Sequence, residues 1–210
     1  MKNLFTTFLL LTLSIQFVKA QESSRTNADK GNIITTAYMG FPNFLVPAIK
    51  DAYELTGPRK EQLDIRASVP IGIQASYRIN NKLDIGAELS HESAKIKWRE
   101  NETLFGSDST KITHHYLLNA ARIRLLVIAN YHFKIKKNMD WYFGFGLGYN
   151  YNPIKLETDG IASVGNSPCF FPITAKTKLG FNYYLIKNLA LNAEAGIGGP
   201  LLSLGITFKL

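Results

Sequence analysis

The feature that most constrains this chain is an alternation of apolar and polar residues with a period of two. In the segment 71–79, every second residue is isoleucine, alanine or tyrosine, and Arg78 is among the residues between them. Similar runs recur along the chain, whereas no segment sustains the 3.6-residue apolar period of an amphipathic helix. Because successive side chains of a strand point to opposite faces, the pattern predicts an all-β chain of half-buried strands.

Eight such runs can be traced in the sequence. The predicted strands are about Ile33–Phe41, Val69–Ile79, Leu83–Trp98, Tyr116–Phe133, Trp141–Tyr151, Ile173–Leu185, Leu189–Ile197 and Leu202–Leu210. An even number of antiparallel strands is typical of single-chain bacterial barrels. The fold class that we predict is all-β, an eight-stranded antiparallel up-and-down transmembrane β-barrel.

The predicted connections fall into short and long kinds that alternate. The short ones are Asn80–Lys82, Lys134–Asp140 and Lys187–Asn188, and the long ones are Pro42–Ser68, Arg99–His115 and Asn152–Pro172. The last connection, Gly198–Pro200, is also short and departs from the pattern. Membrane barrels have short periplasmic turns and longer extracellular loops, so this segregation favours a membrane barrel over a soluble meander.

The two faces of the predicted strands differ in charge. One face carries no charged residue, as lipid contact requires, because Arg or Lys at the bilayer midplane costs roughly 2–4 kcal/mol. The other face carries charges of both signs at Arg78, Asp84, Glu88, Arg122, Arg124, Lys176, Lys178 and Glu194. An eight-stranded barrel is just wide enough for side chains to fill it. We expect these residues to pair as a structural network in a closed lumen.

Aromatic residues gather near the predicted strand ends. Those toward the short turns are Tyr131, Phe133, Trp141, Tyr142, Tyr183, Tyr184 and Phe208. Those toward the long connections are Phe41, Trp98, Tyr149, Tyr151, Phe170 and Phe171. Two bands of this kind predict the aromatic girdles of the two membrane interfaces.

The N-terminal segment has the pattern of a secretory signal. Lys2 precedes a mostly apolar stretch, and Val18-Lys19-Ala20 supplies a cleavage site before Gln21. We predict a signal peptide at 1–20, a short periplasmic tail at 21–32 and an outer-membrane barrel domain at 33–210.

Charge and cysteine content exclude several function classes. The formal net charge is +8, but the basic residues are scattered, so we expect no nucleic-acid partner. Outer-membrane lipid and lipopolysaccharide are the expected surroundings of such a surface. Cys169 is the only cysteine, which excludes an intramolecular disulfide. We expect no cofactor and no metal site, since adjacent His114 and His115 would point to opposite faces of a strand or lie in a solvated loop.

The chain resembles the OmpA/OmpX-type small barrels, and in particular the outer-membrane β-barrel domain family common in Bacteroidetes. The resemblance is carried by the signal segment, by Tyr38–Phe41, by Pro70–Arg78 and by Leu204–Leu210. It implies a location in the cell outer membrane and insertion by the barrel-assembly machinery through the C-terminal strand. It implies no enzymatic activity. The partner of the extracellular loops is not specified by the resemblance.

Two alternative functions compete with a non-enzymatic barrel that is structural or interacts through its extracellular loops. His91-Glu92-Ser93 resembles the His-x-Ser pair of outer-membrane lipid A deacylases, and Glu100 or Glu102 would then orient the histidine. A secreted lipocalin-like ligand carrier also has eight up-and-down strands. It would require the charged face to lie outside.

Overall fold

The fold is described from a computed structural model, which describes residues 30–47, 61–103, 111–136, 138–158, 161–166 and 172–210. The predicted signal peptide, Phe170 and Phe171 lie outside these residues. The only helical segment among them is the turn at 45–47. No helix in the described part of the chain has the length and apolarity needed to span a membrane.

Eleven strands account for most of the described residues. They are β1 Ile33–Phe41, β2 Glu61–Ala67, β3 Ile71–Asn80, β4 Leu83–Thr103, β5 Lys111–Lys136, β6 Met139–Tyr151, β7 Pro153–Thr158, β8 Ile161–Asn166, β9 Ile173–Ile186, β10 Leu189–Ile197 and β11 Leu202–Lys209.

Eight of these strands form a closed antiparallel ring in the order β1, β3, β4, β5, β6, β9, β10, β11. The first and last strands close the ring, with Thr36 opposite Thr207 and Tyr38 opposite Gly205. Full closure pairs every edge strand, which a β-structure surrounded by lipid requires. The predicted eight-stranded up-and-down barrel is therefore confirmed.

The three remaining strands lie in segments that the sequence pattern assigned to loops. Strand β2 pairs with β4 beyond the end of β3, with Arg66 opposite Lys95. Strand β7 likewise pairs with β5 beyond the end of β6, and β8 folds back on β7. The predictions of loops at 42–68 and 152–172 were wrong for these strands. Their alternating runs, such as Leu63–Ala67 and Ile154–Glu157, are only five and four residues long, so they do not stand out from the polar stretches around them.

Strands β4 and β5 are much longer than predicted. They pair without interruption from Leu83 opposite Tyr131 to Thr103 opposite Lys111. The predicted loop at 99–115 is therefore mostly strand. His114 and His115 lie within β5, opposite Glu100 and Arg99, so the solvated-loop interpretation of this pair was wrong. The ring consequently carries a two-stranded extension, flanked by β2 and β7, at its long-connection end.

Alternating burial separates an apolar outside from a polar inside. Exposed outward residues include Met39, Leu125, Val127 and Leu204, whose exposed fractions lie between 57% and 67%. The apolar belt is the set of outward side chains of β1 from Ile33 to Phe41, together with the outward side chains at the same height on the other seven ring strands.

The girdle assignment needs correction for three aromatic residues. Tyr142 and Tyr184 are 3% exposed and lie inside the barrel. Trp98 stacks on Tyr116 with 5.1 Å between ring centroids, and follows the inward-facing parity of Ile96. Whether an aromatic side chain lies inside or outside the barrel therefore depends on its strand parity and not on how close it is to a strand end.

Candidate functional site

The candidate site is the barrel lumen, which is lined by the inward residues of all eight ring strands. Charged side chains reach it from β3, β4, β5, β6, β9 and β10, and β11 contributes the buried Lys209. Most of these side chains form three clusters stacked along the barrel axis. We call these the lower, middle and upper clusters, counted from the short-turn end. Within the described residues, no hydrogen bond or ion pair between side chains joins one cluster to the next.

The middle cluster consists of two lysines and two glutamates in alternation. The Lys176 Nζ lies 2.8 Å from Glu88 Oε1, and the Lys178 Nζ lies 2.6 Å from Glu194 Oε1. Diagonal contacts of 3.6 Å link Lys176 to Glu194 and Lys178 to Glu88. Each ammonium therefore contacts both carboxylates. All four side chains are nearly inaccessible to solvent, so each charge needs its partners to be tolerated there.

The remaining hydrogen-bonding capacity of this cluster is met by neutral side chains. The hydroxyl of Tyr38 donates to Glu88 at 2.7 Å, and that of Tyr142 donates to Glu194 at 2.6 Å. Lys178 also donates to Gln74. Both lysine Nζ atoms lie over a tyrosine ring, Lys176 over Tyr38 at 5.0 Å from the centroid. Such contacts lower the cost of burying the cations.

Two glycines make room for these tyrosines. Tyr38 lies opposite Gly72 across β1 and β3, and Tyr142 lies opposite Gly180 across β6 and β9. A Cβ atom at either glycine would overlap the neighbouring tyrosine ring. The inward glycines thus let an aromatic ring lie flat against the wall while its hydroxyl reaches the cluster.

The lower cluster joins Arg78, His132 and two aspartates. His132 contacts Asp84 through Nε2 at 2.7 Å and Asp140 through Nδ1 at 2.6 Å. An imidazolium, with hydrogen on both ring nitrogens, donates to both carboxylates. Arg78 Nη2 lies 3.7 Å from Asp84 and 3.6 Å from Asp140. Asn130 donates to Asp84 at 2.7 Å, so Asp84 contacts Arg78, His132 and Asn130.

The upper cluster has two arginines and one glutamate. Glu92 lies 3.1 Å from Arg122 Nη1 and 3.5 Å from Arg124 Nη2. Arg124 also donates to the Gly198 carbonyl at 2.6 Å, and Arg122 donates to Asn152 at 3.2 Å. These bonds tie the arginines of β5 to the connections after β6 and β10. The upper cluster therefore has one more cationic than anionic side chain.

The eight residues that we expected to form one network are distributed over the three clusters. Arg78 and Asp84 lie in the lower cluster, Glu88, Lys176, Lys178 and Glu194 in the middle one, and Arg122 and Arg124 in the upper one. Three ionisable members were missed. Asp140 was assigned to a turn, Glu92 to the His-x-Ser motif, and His132 was not included in the expected network. Strand parity is the signal that identifies all three.

The outer wall does not assemble the hydrolase that His91 and Ser93 would require. His91 is exposed on the outward face, whereas Glu92 between them is buried in the upper cluster. Glu100 is nine positions along the same extended strand, which separates it from His91 by roughly 30 Å at about 3.3 Å per residue. Neither Glu100 nor Glu102 can orient this histidine, so that part of the hypothesis was wrong.

Among the described residues, no group of three or more histidine, cysteine, aspartate or glutamate side chains has a metal-binding arrangement.

Comparisons with known proteins concern the fold. No protein-family model and no curated protein matches the sequence. The chain is similar to a de novo designed transmembrane β-barrel, with 15% identity, coverage of 87% of this chain and 98% of that chain, and a TM-score of 0.47. It is similar to the N-terminal β-barrel domain of Pseudomonas aeruginosa OprF, with 14% identity, 86% and 98% coverage, and a TM-score of 0.44.

A further neighbour is the outer membrane protein OprG from Pseudomonas aeruginosa, with 12% identity, 89% and 99% coverage, and a TM-score of 0.44. These neighbours of the chain are small transmembrane or outer-membrane β-barrels, the class that the sequence resembles. The closed eight-stranded ring of the chain itself carries the fold assignment.

Proposed function

We propose that this chain is an integral outer-membrane β-barrel with a closed, side-chain-filled lumen, and that its interactions are made at the long-connection end. The observation that carries the proposal is the segregation of charge. The apolar belt contains no Asp, Glu, Lys or Arg, while the lumen holds charges of both signs in bonded clusters.

The belt supports a location in lipid. Exposed leucine, isoleucine, valine and aromatic side chains surround all eight ring strands, with Val127 66% exposed and Leu204 67% exposed. Monomeric soluble proteins rarely expose contiguous apolar patches larger than a few hundred Å². A surface of this composition is stable when lipid tails cover it. The long connections would face the exterior, as in bacterial outer-membrane barrels.

The middle cluster supports a closed scaffold. Strands β4 and β10 are four strands apart in either direction around the eight-stranded ring, so Glu88 and Glu194 come from opposite walls. Lys176 and Lys178 bridge these two carboxylates across the lumen. Open aqueous channels are found in barrels of about 16–18 strands. The expected role is therefore structural or surface interaction through the extension of β4 and β5.

The two alternatives receive less support from the geometry. A lipocalin-like carrier needs an apolar lumen and a polar exterior, which is the reverse of the arrangement here. A lipid A hydrolase needs an orienting group near His91, which Glu100 and Glu102 do not supply.

Two measurements test the proposal. After expression with its own signal segment, the protein should sediment with outer membranes and resist extraction by alkaline carbonate. Recovery in a soluble fraction would reject the membrane assignment. In planar bilayers, the purified barrel should give no steady conductance of the porin type. Large, stable channels would contradict a lumen closed by the middle cluster.

A further inference from the structure

The extension of the barrel carries a row of cations on its outer wall. Strand register places Arg66 of β2 opposite Lys95 of β4, Lys95 opposite Asn119 of β5, and Asn119 opposite Lys155 of β7. At about 4.8 Å between neighbouring strands, these four side chains span roughly 14 Å. Lys97 lies one outward position further along β4. Together they border a cleft of about 670 Å³.

Two of these lysines form no ion pair among the described residues, and the one acidic residue opposite them in strand register, Asp64 across from Lys97, is paired with Arg66. Arg66 pairs with Asp64 at 3.2 Å and Lys155 with Glu157 at 2.5 Å, both at exposed positions. In the part of the chain that the structure describes, Lys95 and Lys97 make no ion pair with an acidic group, and both are exposed. The centre of the cleft therefore presents two ammonium groups that an anion can reach.

The position of the cleft relative to the apolar belt points to a lipid headgroup. The upper rim of the belt runs through Ile71, His91, Ile123 and Tyr151, which are aligned by strand register. Lys95 follows His91 by four residues, or roughly 13 Å along the strand. A lysine at this height can extend its side chain toward the level where lipid headgroups lie.

An apolar groove adjoins the cationic cleft. It has a volume of about 530 Å³ and is lined by Met39, Phe41, Val69, Leu202 and Leu204, which are between 57% and 71% exposed. The groove and the cleft share Ala67 and Ser68. A ligand with an anionic head and an apolar tail can therefore occupy both without leaving the wall.

The junction between the two parts is held by hydrogen bonds. The Asn43 side chain donates to the carbonyls of Ser68 and Ser93, at 2.8 Å and 2.9 Å. The backbone N–H of Ser93 donates to the Ser68 hydroxyl at 2.9 Å. The interruption between β2 and β3 thus has a defined shape, which reduces the conformational cost of binding.

We propose that this site binds one phosphorylated lipid of the leaflet at the long-connection end. Lys95 and Lys97 contact a phosphate, and an acyl chain lies along Phe41 and Leu204. The inference rests on the proposed membrane location. It goes further by naming the ligand class, an anionic phosphorylated lipid, and the residues that recognise it.

The test uses native mass spectrometry of the folded full-length barrel in neutral detergent. The probe is a bis-phosphorylated, multi-acylated glycolipid, and the double variant Lys95→Gln/Lys97→Gln is compared with wild type. The matched control is Lys30→Gln/Lys82→Gln, which removes two exposed lysines from the short-turn end. The site variant should bind roughly 30-fold more weakly, since each lysine near an anionic membrane surface contributes about a factor of five. The control should bind like wild type.

Two further measurements distinguish a lipid headgroup from a free phosphate compound as the bound anion. The deacylated sugar phosphate should bind at least roughly tenfold more weakly than the lipid, because buried acyl carbons add affinity. Inorganic phosphate should not displace the lipid. Equal binding by the deacylated form, displacement by phosphate, or unchanged binding by the site variant would each overturn the proposal. Because the barrel is tested folded in detergent, such a failure is distinct from failed outer-membrane fractionation, which would reject the location itself.

Discussion

At the scale of single residues, the lumen depends on charges that compensate one another closely. Glu88 contacts both ammonium groups of the middle cluster and accepts from the Tyr38 hydroxyl. Removing one member of a buried ion pair is more costly than removing the pair, because the remaining charge stays buried without its partner. The clusters are therefore best probed by single neutralising substitutions and by their combinations.

Glu88→Gln should lower the free energy of unfolding by roughly 3–5 kcal/mol, because it leaves two buried lysines with one carboxylate. Urea unfolding of the barrel in lipid vesicles measures the loss. The matched control is Glu157→Gln, which removes a carboxylate from the exposed pair with Lys155 and should cost less than about 1 kcal/mol. Adding Lys176→Gln to Glu88→Gln should restore part of the lost stability. Equal losses from both single glutamate variants would contradict the argument.

Gly180→Ala should destabilise the barrel by roughly 1–3 kcal/mol, because the new methyl group overlaps the Tyr142 ring. The comparison is Gly146→Ala, whose added Cβ would meet Ile128 Cγ2 at 3.1 Å, a contact that a small side-chain shift can relieve. The same unfolding assay reports both. A loss that is as large for Gly146→Ala as for Gly180→Ala would show that glycine spacing does not serve the tyrosine.

At the scale of strands, the alternation of apolar and polar residues predicted the eight ring strands and did not predict the three strands outside the ring. The ring strands were found because one face is apolar throughout. Strands β2, β7 and β8 were not, since each has only six or seven residues, and Pro153–Thr158, for example, alternates only from Ile154 to Glu157. Parity also identified which charges enter the lumen. Which of them meet depends on the stagger between strands, a property of the closed ring that no single strand carries.

Val127→Arg should impair the barrel in a way that depends on depth. Val127 lies outward near the middle of the membrane part of β5, where an arginine costs roughly 2–4 kcal/mol. Tyr131→Arg is the matched variant, on the same face of the same strand but four residues nearer the short-turn end, where the cost falls to about 0–1 kcal/mol. Unfolding free energies in vesicles test the difference. Equal costs at both positions would argue against a lipid-facing belt.

At the scale of the whole molecule, three structural layers follow one another from the outside inward. The apolar belt faces outward, the hydrogen-bonded ring lies behind it, and three charge clusters fill the ring. Closure of the ring removes unpaired strand edges, the belt suits contact with lipid, and the clusters bring buried charges of opposite sign into contact. The extension of β4, β5, β2 and β7 stands apart from this arrangement, and its surface is left for interaction.

The closure of β1 on β11 has a consequence for connectivity. Ile33 and Leu210 exchange backbone hydrogen bonds of 3.1 Å and 2.8 Å, so the two ends of the ring are immediate neighbours. A circular permutant should therefore fold, with Leu210 joined by a short linker to Lys30 and new ends opened between Asn81 and Lys82. Refolded in detergent, its unfolding free energy should lie within about 1–2 kcal/mol of wild type, because the cut falls in an exposed turn.

The same permutant separates folding from delivery. If the barrel-assembly machinery reads β11 as the C-terminal strand, the permutant should refold in vitro yet assemble poorly in cells, as judged by its yield in outer-membrane fractions. Failure to refold in detergent would instead show that the chain order of the strands is itself required. In the closed ring every strand has two neighbours, so no strand is structurally first. The position of the chain ends bears on how the barrel is assembled in cells.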